Sequence, residues 1–254
     1  MKRSLRLFAI LGFATLASHA HAAGLALRWD RCYADGGLIN KAFACDTDTG
    51  TETLVGSVFR TKDAPQRSGV EVLLTLATAG ASLPAWWAFK NLATCRRNEL
   101  SANSVIPPAS VGCIDWGSGT AVAGLAAYTI GTSGPTTARI LAATGVSQSN
   151  LANLTKGNEY FLITLLVTHV KTLGTGACLG CTMPACIVFT SAKLDISVPS
   201  AAEDQYFDYP INGTDSNYVT WQGGAGVGSS AGTGCPAATP TRSSTWSAVK
   251  TLYR

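Results

Sequence analysis

The chain has 254 residues, of which 46% are apolar and 13% charged. That length and apolar content can bury a sizeable core, in one large domain or two small ones. With 19 basic and 15 acidic residues and no basic run, the charge leaves no electrostatic footprint for nucleic acid or an acidic membrane surface.

The opening stretch MKRSLRLFAILGFATLASHAHA places Lys2, Arg3 and Arg6 before an apolar run from Leu7 to Ala17, then Ala20-His21-Ala22 as a small-x-small cleavage site. This is the pattern of a secretory signal peptide, residues 1–22. The run is shorter than the roughly 20 apolar residues that span a bilayer. The first cysteine is Cys32, so no lipid-anchor cysteine follows the site. Cleavage leaves 232 residues with 16 basic against 15 acidic. The expectation is an exported protein, periplasmic or extracellular, with no membrane span in the mature chain.

From residue 23 to 222 strand signals dominate. LALRWD (25–30) and GVEVLLTLA (69–77) alternate apolar and polar positions, the mark of half-buried strands. LVGSVF (54–59), AAYTIG (126–131) and ARILAAT (138–144) are shorter candidates. SQSNLANL (147–154) reads as a turn or short helix. YFLITLLV (160–167) reads as a buried strand. ACIVFTSAKLDISV (185–198) places Cys186, Val188, Ala192, Leu194, Ile196 and Val198 on one face, and YVTWQ (218–222) closes the series. Turn-forming clusters such as DTDTGT, IPPAS and TSGPT separate them. The fold expected is mainly β, an antiparallel β-sandwich of jelly-roll-like type. Unequal strand lengths and eight cysteines argue against an outer-membrane barrel. Residues 223–243 form a Gly/Ser/Thr-rich connector. Residues 244–254 are expected to form a short C-terminal helix with Trp246, Val249, Leu252 and Tyr253 on one face.

Eight cysteines in an exported chain, Cys32, Cys45, Cys95, Cys113, Cys178, Cys181, Cys186 and Cys235, predict four disulfides. Proximity suggests Cys32–Cys45 and Cys95–Cys113, with Cys235 tied back to the 178–186 cluster. The alternatives for GACLGCTMPAC are a metal clamp or a redox pair. Zinc ribbons use two CxxC units, and only one is present. A thioredoxin-like CxxC opens a helix, whereas Gly176, Gly180 and Pro184 surround this one with turn formers.

Catalytic signals are sparse. His169 is the only histidine after residue 22 and lies at the end of an apolar strand. Gly228-Ser-Ser230-Ala-Gly232 matches a nucleophile-elbow spacing but has no histidine after it. Asp46, Asp48 and Glu52 form a weak calcium candidate, with a solvated turn as the simpler reading of the same residues. No other metal and no cofactor is implied. Trp86, Trp87, Trp116 and Trp221 are the candidate ligand surface. Adjacent strand residues point to opposite faces, so one of Trp86 and Trp87 is expected to face outward, where an indole can stack on a sugar ring. Packing under loops is the alternative.

LRWDRC, LPAWWAFKN, GNEYF, GACLGCTMPAC, NGTDSNYVTWQGG and STWSAVKTLYR together resemble a group of exported bacterial proteins without an assigned activity, so the resemblance implies no catalytic residue. The strand pattern is also loosely similar to cohesin-like sandwich domains, without a shared motif. The function expected is non-enzymatic, in binding or structure, with a glycan or an envelope protein as partner. The alternatives are a secreted carboxylate-dependent hydrolase acting on glycans and a periplasmic thiol–disulfide protein.

Overall fold

The computed structural model describes residues 23–90, 93–196, 205–211 and 216–224. The predicted signal peptide, the C-terminal helix, Cys235 and all of the connector beyond residue 224 lie outside the described residues.

Among the described residues thirteen strands follow one another: β1 (Gly24–Trp29), β2 (Asn40–Lys41), β3 (Thr51–Phe59), β4 (Ala64–Thr78), β5 (Leu100–Asn103), β6 (Ile114–Asp115), β7 (Val122–Ile130), β8 (Thr137–Gly145), β9 (Ala152–Leu154), β10 (Glu159–Thr168), β11 (Ala185–Ile196), β12 (Gln205–Phe207) and β13 (Tyr218–Trp221). The first sheet runs β1-β3-β10-β5, with β6 on β10. The second runs β2-β13-β11-β4-β8-β7, with β12 on β11 and β9 on β4. Pairing is antiparallel apart from β6–β10 and β13–β2. The two sheets pack face to face as a β-sandwich around one main core, which takes Leu25, Leu27 and Trp29 from β1, Leu74 and Leu76 from β4, Leu165 and Val167 from β10, and Ile187 and Phe189 from β11. The expected mainly β architecture is therefore present.

The alternation in 69–77 holds, with Val70, Val72, Leu74 and Leu76 buried. Two departures have clear causes. The whole of β1 is buried: its free edge is paired, with Leu25 bridging to Pro210 and the Leu27 amide donating to the Ser216 carbonyl, and on its far side Arg28 Nη1 donates to the carbonyls of Ser216 and Tyr218. In β11 a bulge between Phe189 and Ser191 reverses the facing, since one extra residue shifts a period-two pattern by half. Cys186 and Val188 consequently lie on the outer face of the second sheet in a small cluster with Ala77 and Tyr218, while Ala192 and Leu194 face the main core. They do not share the one face expected. In 147–154 the chain makes a single 3-10 turn, Gln148–Asn150, before β9.

Three disulfides join described residues: Cys32–Cys113, Cys45–Cys181 and Cys95–Cys178. Cys186 is disulfide-bonded too, and no described cysteine is a free thiol. Both expected local pairs are overturned. Cys32 packs with Val55 and Phe161 on the outer face of the first sheet, whereas Cys45 packs against the main core, so nearness in sequence does not bring them together. Cys95 likewise packs against the main core, whereas Cys113 lies with Cys32 on the outer face of the first sheet. The observed bridges span 81, 136 and 83 residues. Loops of that order restrict the unfolded chain more than the expected short ones, by about 4–5 kcal/mol each against about 3 in the chain-entropy model. Replacing Cys95 and Cys178 together by alanine should lower the unfolding free energy by about 2–5 kcal/mol. Urea denaturation of the variant checks this, and non-reducing peptide mapping should recover the Cys45–Cys181 linkage unchanged.

Candidate functional site

The four candidate tryptophans are packing residues. Trp86, Trp87 and Trp221 are 1% exposed or less, and Trp116 is 4% exposed, so the expected outward-facing indole surface is not present. The strand argument failed because Trp86 and Trp87 lie on a 3-10 turn, Ala85–Trp87, where neighbouring side chains need not point to opposite faces. Their rings meet at 4.9 Å edge to face, and both pack on Trp221, at 5.1 and 5.6 Å. Trp221 also meets Trp29 and Phe43, and its Nε1 donates to the Cys181 carbonyl at 2.7 Å. Arg96, fully buried, stacks over Trp86 at 3.8 Å and donates to the carbonyls of Trp86 and Thr168. Burial pushes its pKa down to about 10. Cys178 and Cys181 are buried, at 3% and 6% exposure, and bridge to different partners. The exposed, reactive CxxC that a thiol–disulfide role requires is absent here.

Beside this aromatic cap lies a polar chain. His169, 6% exposed, stacks on Phe43 at 3.7 Å. Its Nδ1 is 2.7 Å from the Thr49 carbonyl and its Nε2 3.0 Å from Glu52 Oε1. Glu52 Oε2 meets Lys41 Nζ at 2.7 Å, and Lys41 meets Asp30 at 2.8 Å. Gly50, at φ +104°, leaves room for the ring: a Cβ there would sit 2.9 Å from Nδ1. Burial works against the Lys41 charge, but the hydrogen bonds to Asp30 and Glu52 hold its pKa above 10.5. The calcium candidates do not converge. Glu52 is committed to His169 and Lys41; Asp48 Oδ1 accepts the Thr172 and Leu173 amides; Asp46 is exposed. The one acid–cysteine group among the described residues with metal-like spacing, Cys32, Asp35 and Cys113, has its two sulfurs in a disulfide.

A carboxylate that sequence reading did not single out lies at the start of β10. Glu159 is 4% exposed and accepts from Ser57 Oγ and from the amides of Tyr33 and Ala34. Burial raises its pKa against those hydrogen bonds, and Asp35 adds to the rise. It borders a pocket of about 240 Å³ with Tyr33, Phe59, Gly112 and Asn158. Asp35 Oδ1 holds the Val111 and Gly112 amides, and its Oδ2 is buried without a partner.

Two larger grooves, each about 330 Å³, lie elsewhere. One passes Trp116, Asp115, Ser118, Asn150, Asn153 and Tyr160. Asp115 accepts the Gly117 and Gly119 amides, Asn153 the Gln66 amide, and the Tyr160 hydroxyl the Thr155 amide, while the Trp116 Nε1 is buried without a partner. The other is lined by Ala23, Arg60, Thr61, Lys62, Gln205, Phe207 and the exposed Tyr206 and Tyr209. No sequence signal marked Arg60, because a single arginine at a strand end looks like any surface cation.

The chain matches no known family model and no curated protein. No helix among the described residues is long and apolar enough to cross a membrane.

Lys41→Met should cost about 1 kcal/mol, the upper range for a partly exposed ion pair. The raised pKa fixes the pH window: the Lys41 contribution is complete below its ordinary value of 10.5 and is lost as pH rises through the higher folded value. Denaturation of both proteins at pH 7, 9 and 11 should show an equal gap at the first two and a smaller gap at the last.

Proposed function

We propose that the chain is exported through residues 1–22 and works outside the cytoplasm as a non-enzymatic binding or structural module, with a glycan or a neighbouring envelope protein as partner. The disulfides fit an oxidising compartment. The observation that carries the binding reading is the commitment of the acid–base groups. His169, Glu52 and Asp48 are engaged with the protein's own donors and acceptors, which leaves the grooves as the accessible chemistry.

A hydrolase acting on glycans through carboxylates is the second reading. It is favoured by Glu159, whose raised pKa beside a pocket suits a general acid.

Incubating the oxidised protein comprising residues 23–254 with immobilised cell-wall and plant polysaccharides separates the two. Retention on a glycan without release of new reducing ends is expected. Turnover of any glycan that disappears in Glu159→Gln would replace the binding reading with the hydrolase.

A further inference from the structure

Arg60 is 2% exposed. Its guanidinium stacks over Phe207 at 5.1 Å, one terminal nitrogen donates to the Lys62 carbonyl at 2.8 Å, and Nε is buried without a partner. The ion pairs of the described residues, Lys41 with Asp30 and Glu52, His169 with Glu52 and Lys193 with Asp195, do not include it. Asp63, whose charge acts on Arg60 without a direct ion pair, accepts the Lys156 amide. A buried cation without a direct ion-pair partner is costly, and burial together with the like charge of Arg67 pulls its pKa down against the opposing charge of Asp63.

This guanidinium lines the groove of about 330 Å³ already described, beside Lys62. The same groove is lined by Tyr206 and Tyr209, 67% and 39% exposed, and by Gln205 and Thr61; Lys193 Nζ lies 5.9 Å over the Tyr206 ring. Cleavage after Ala22 would add the α-amino group of Ala23 to the same groove.

We propose that this groove is a binding site for a ring-bearing oxyanion, a uronate-containing saccharide or a phosphorylated sugar. The oxyanion would meet Arg60 and Lys62, the ring would lie against Tyr206 or Tyr209, and Gln205 and Thr61 would meet hydroxyls. Guanidinium matches the planar geometry of both carboxylate and phosphate, and aromatic rings supply flat contact area at small entropic cost. The site rests on the binding reading of the chain and gives it a ligand class.

Calorimetric titration of the oxidised protein with oligogalacturonate, a sugar phosphate, inorganic phosphate and a neutral cello-oligosaccharide tests it. Binding of an acidic ligand should weaken at least tenfold in the double variant Lys62→Ala, Tyr206→Ala, both side chains being exposed, and should weaken as salt rises. Arg60→Met should abolish it; if that buried variant does not fold, the exposed pair decides. A response to the sugar phosphate alone supports the site and assigns the anion to phosphate. Equal or stronger binding of the neutral sugar, affinity unchanged in the double variant, or binding of none of the four overturns the proposal. Neutral-glycan binding that ignores these substitutions leaves the binding function standing while removing this site.

Discussion

Trp221 is the point on which one end of the molecule hangs. It closes β13 in the second sheet, touches Trp29 of the first, and receives Trp86, Trp87 and Phe43 from two loops. Its indole N–H donates to Cys181 in a third loop. A sandwich ends where its strands stop, and loops beyond that point have no ladder to hold their backbone polar groups. Here an aromatic cluster takes over, and the bridges Cys45–Cys181 and Cys95–Cys178 fasten the same loops. The order matters physically. The disulfides limit where the loops can go in the unfolded chain, but the stacked rings determine the packed arrangement they return to.

The same end explains how a cation can lie at its centre. Arg96 joins Trp86 on its turn to Thr168 at the end of β10 through two carbonyls, so its charge replaces a missing ladder between a loop and a strand. The His169–Glu52–Lys41–Asp30 chain does similar work, tying β2, β3 and the segments after β1 and β10. Such polar groups look catalytic in a sequence and are structural in the fold: His169, Glu52 and Lys41 already have their partners, and Arg96 spends both terminal nitrogens on carbonyls, with its Nε left buried without one.

Period-two patterns gave the strands of the core correctly wherever one face meets solvent, as along Val70–Leu76. They also located β1 and β11 but misassigned the faces, because both faces of β1 are covered and a bulge at Phe189–Ser191 reverses the facing of β11. Neither a covering segment nor a bulge leaves a local trace. The cysteine pairing was illegible for a related reason: proximity in sequence ranks short loops first, while the fold divides each near pair between the main core and the outer face of the first sheet. Trp86 and Trp87 were misread because their spacing was taken on a strand and they occupy a 3-10 turn. The site fared worst. Glu159 and Arg60 are single residues at strand ends, and only the pocket beside each distinguishes them from surface charges.

Arg96 and Arg60 pose one problem, a guanidinium removed from water, and meet it differently. Arg96 is spanned by two carbonyls and held on Trp86, with Phe89 5.2 Å away; removing it would leave a loop untied from β10. The side-chain hydrogen bond of Arg60 reaches only two residues along the chain, to Lys62, so it ties nothing distant, and stacking on Phe207 needs no charge. Packing alone would be served as well by an apolar side chain of similar volume, which carries no desolvation cost. The proposed oxyanion site gives that charge a role. There the groove brings Lys62 and two exposed tyrosines into its company, at the opposite end of β3 from the aromatic cap. One end of the sandwich spends its cation on holding loops together; the other leaves its cation facing a space of ligand size.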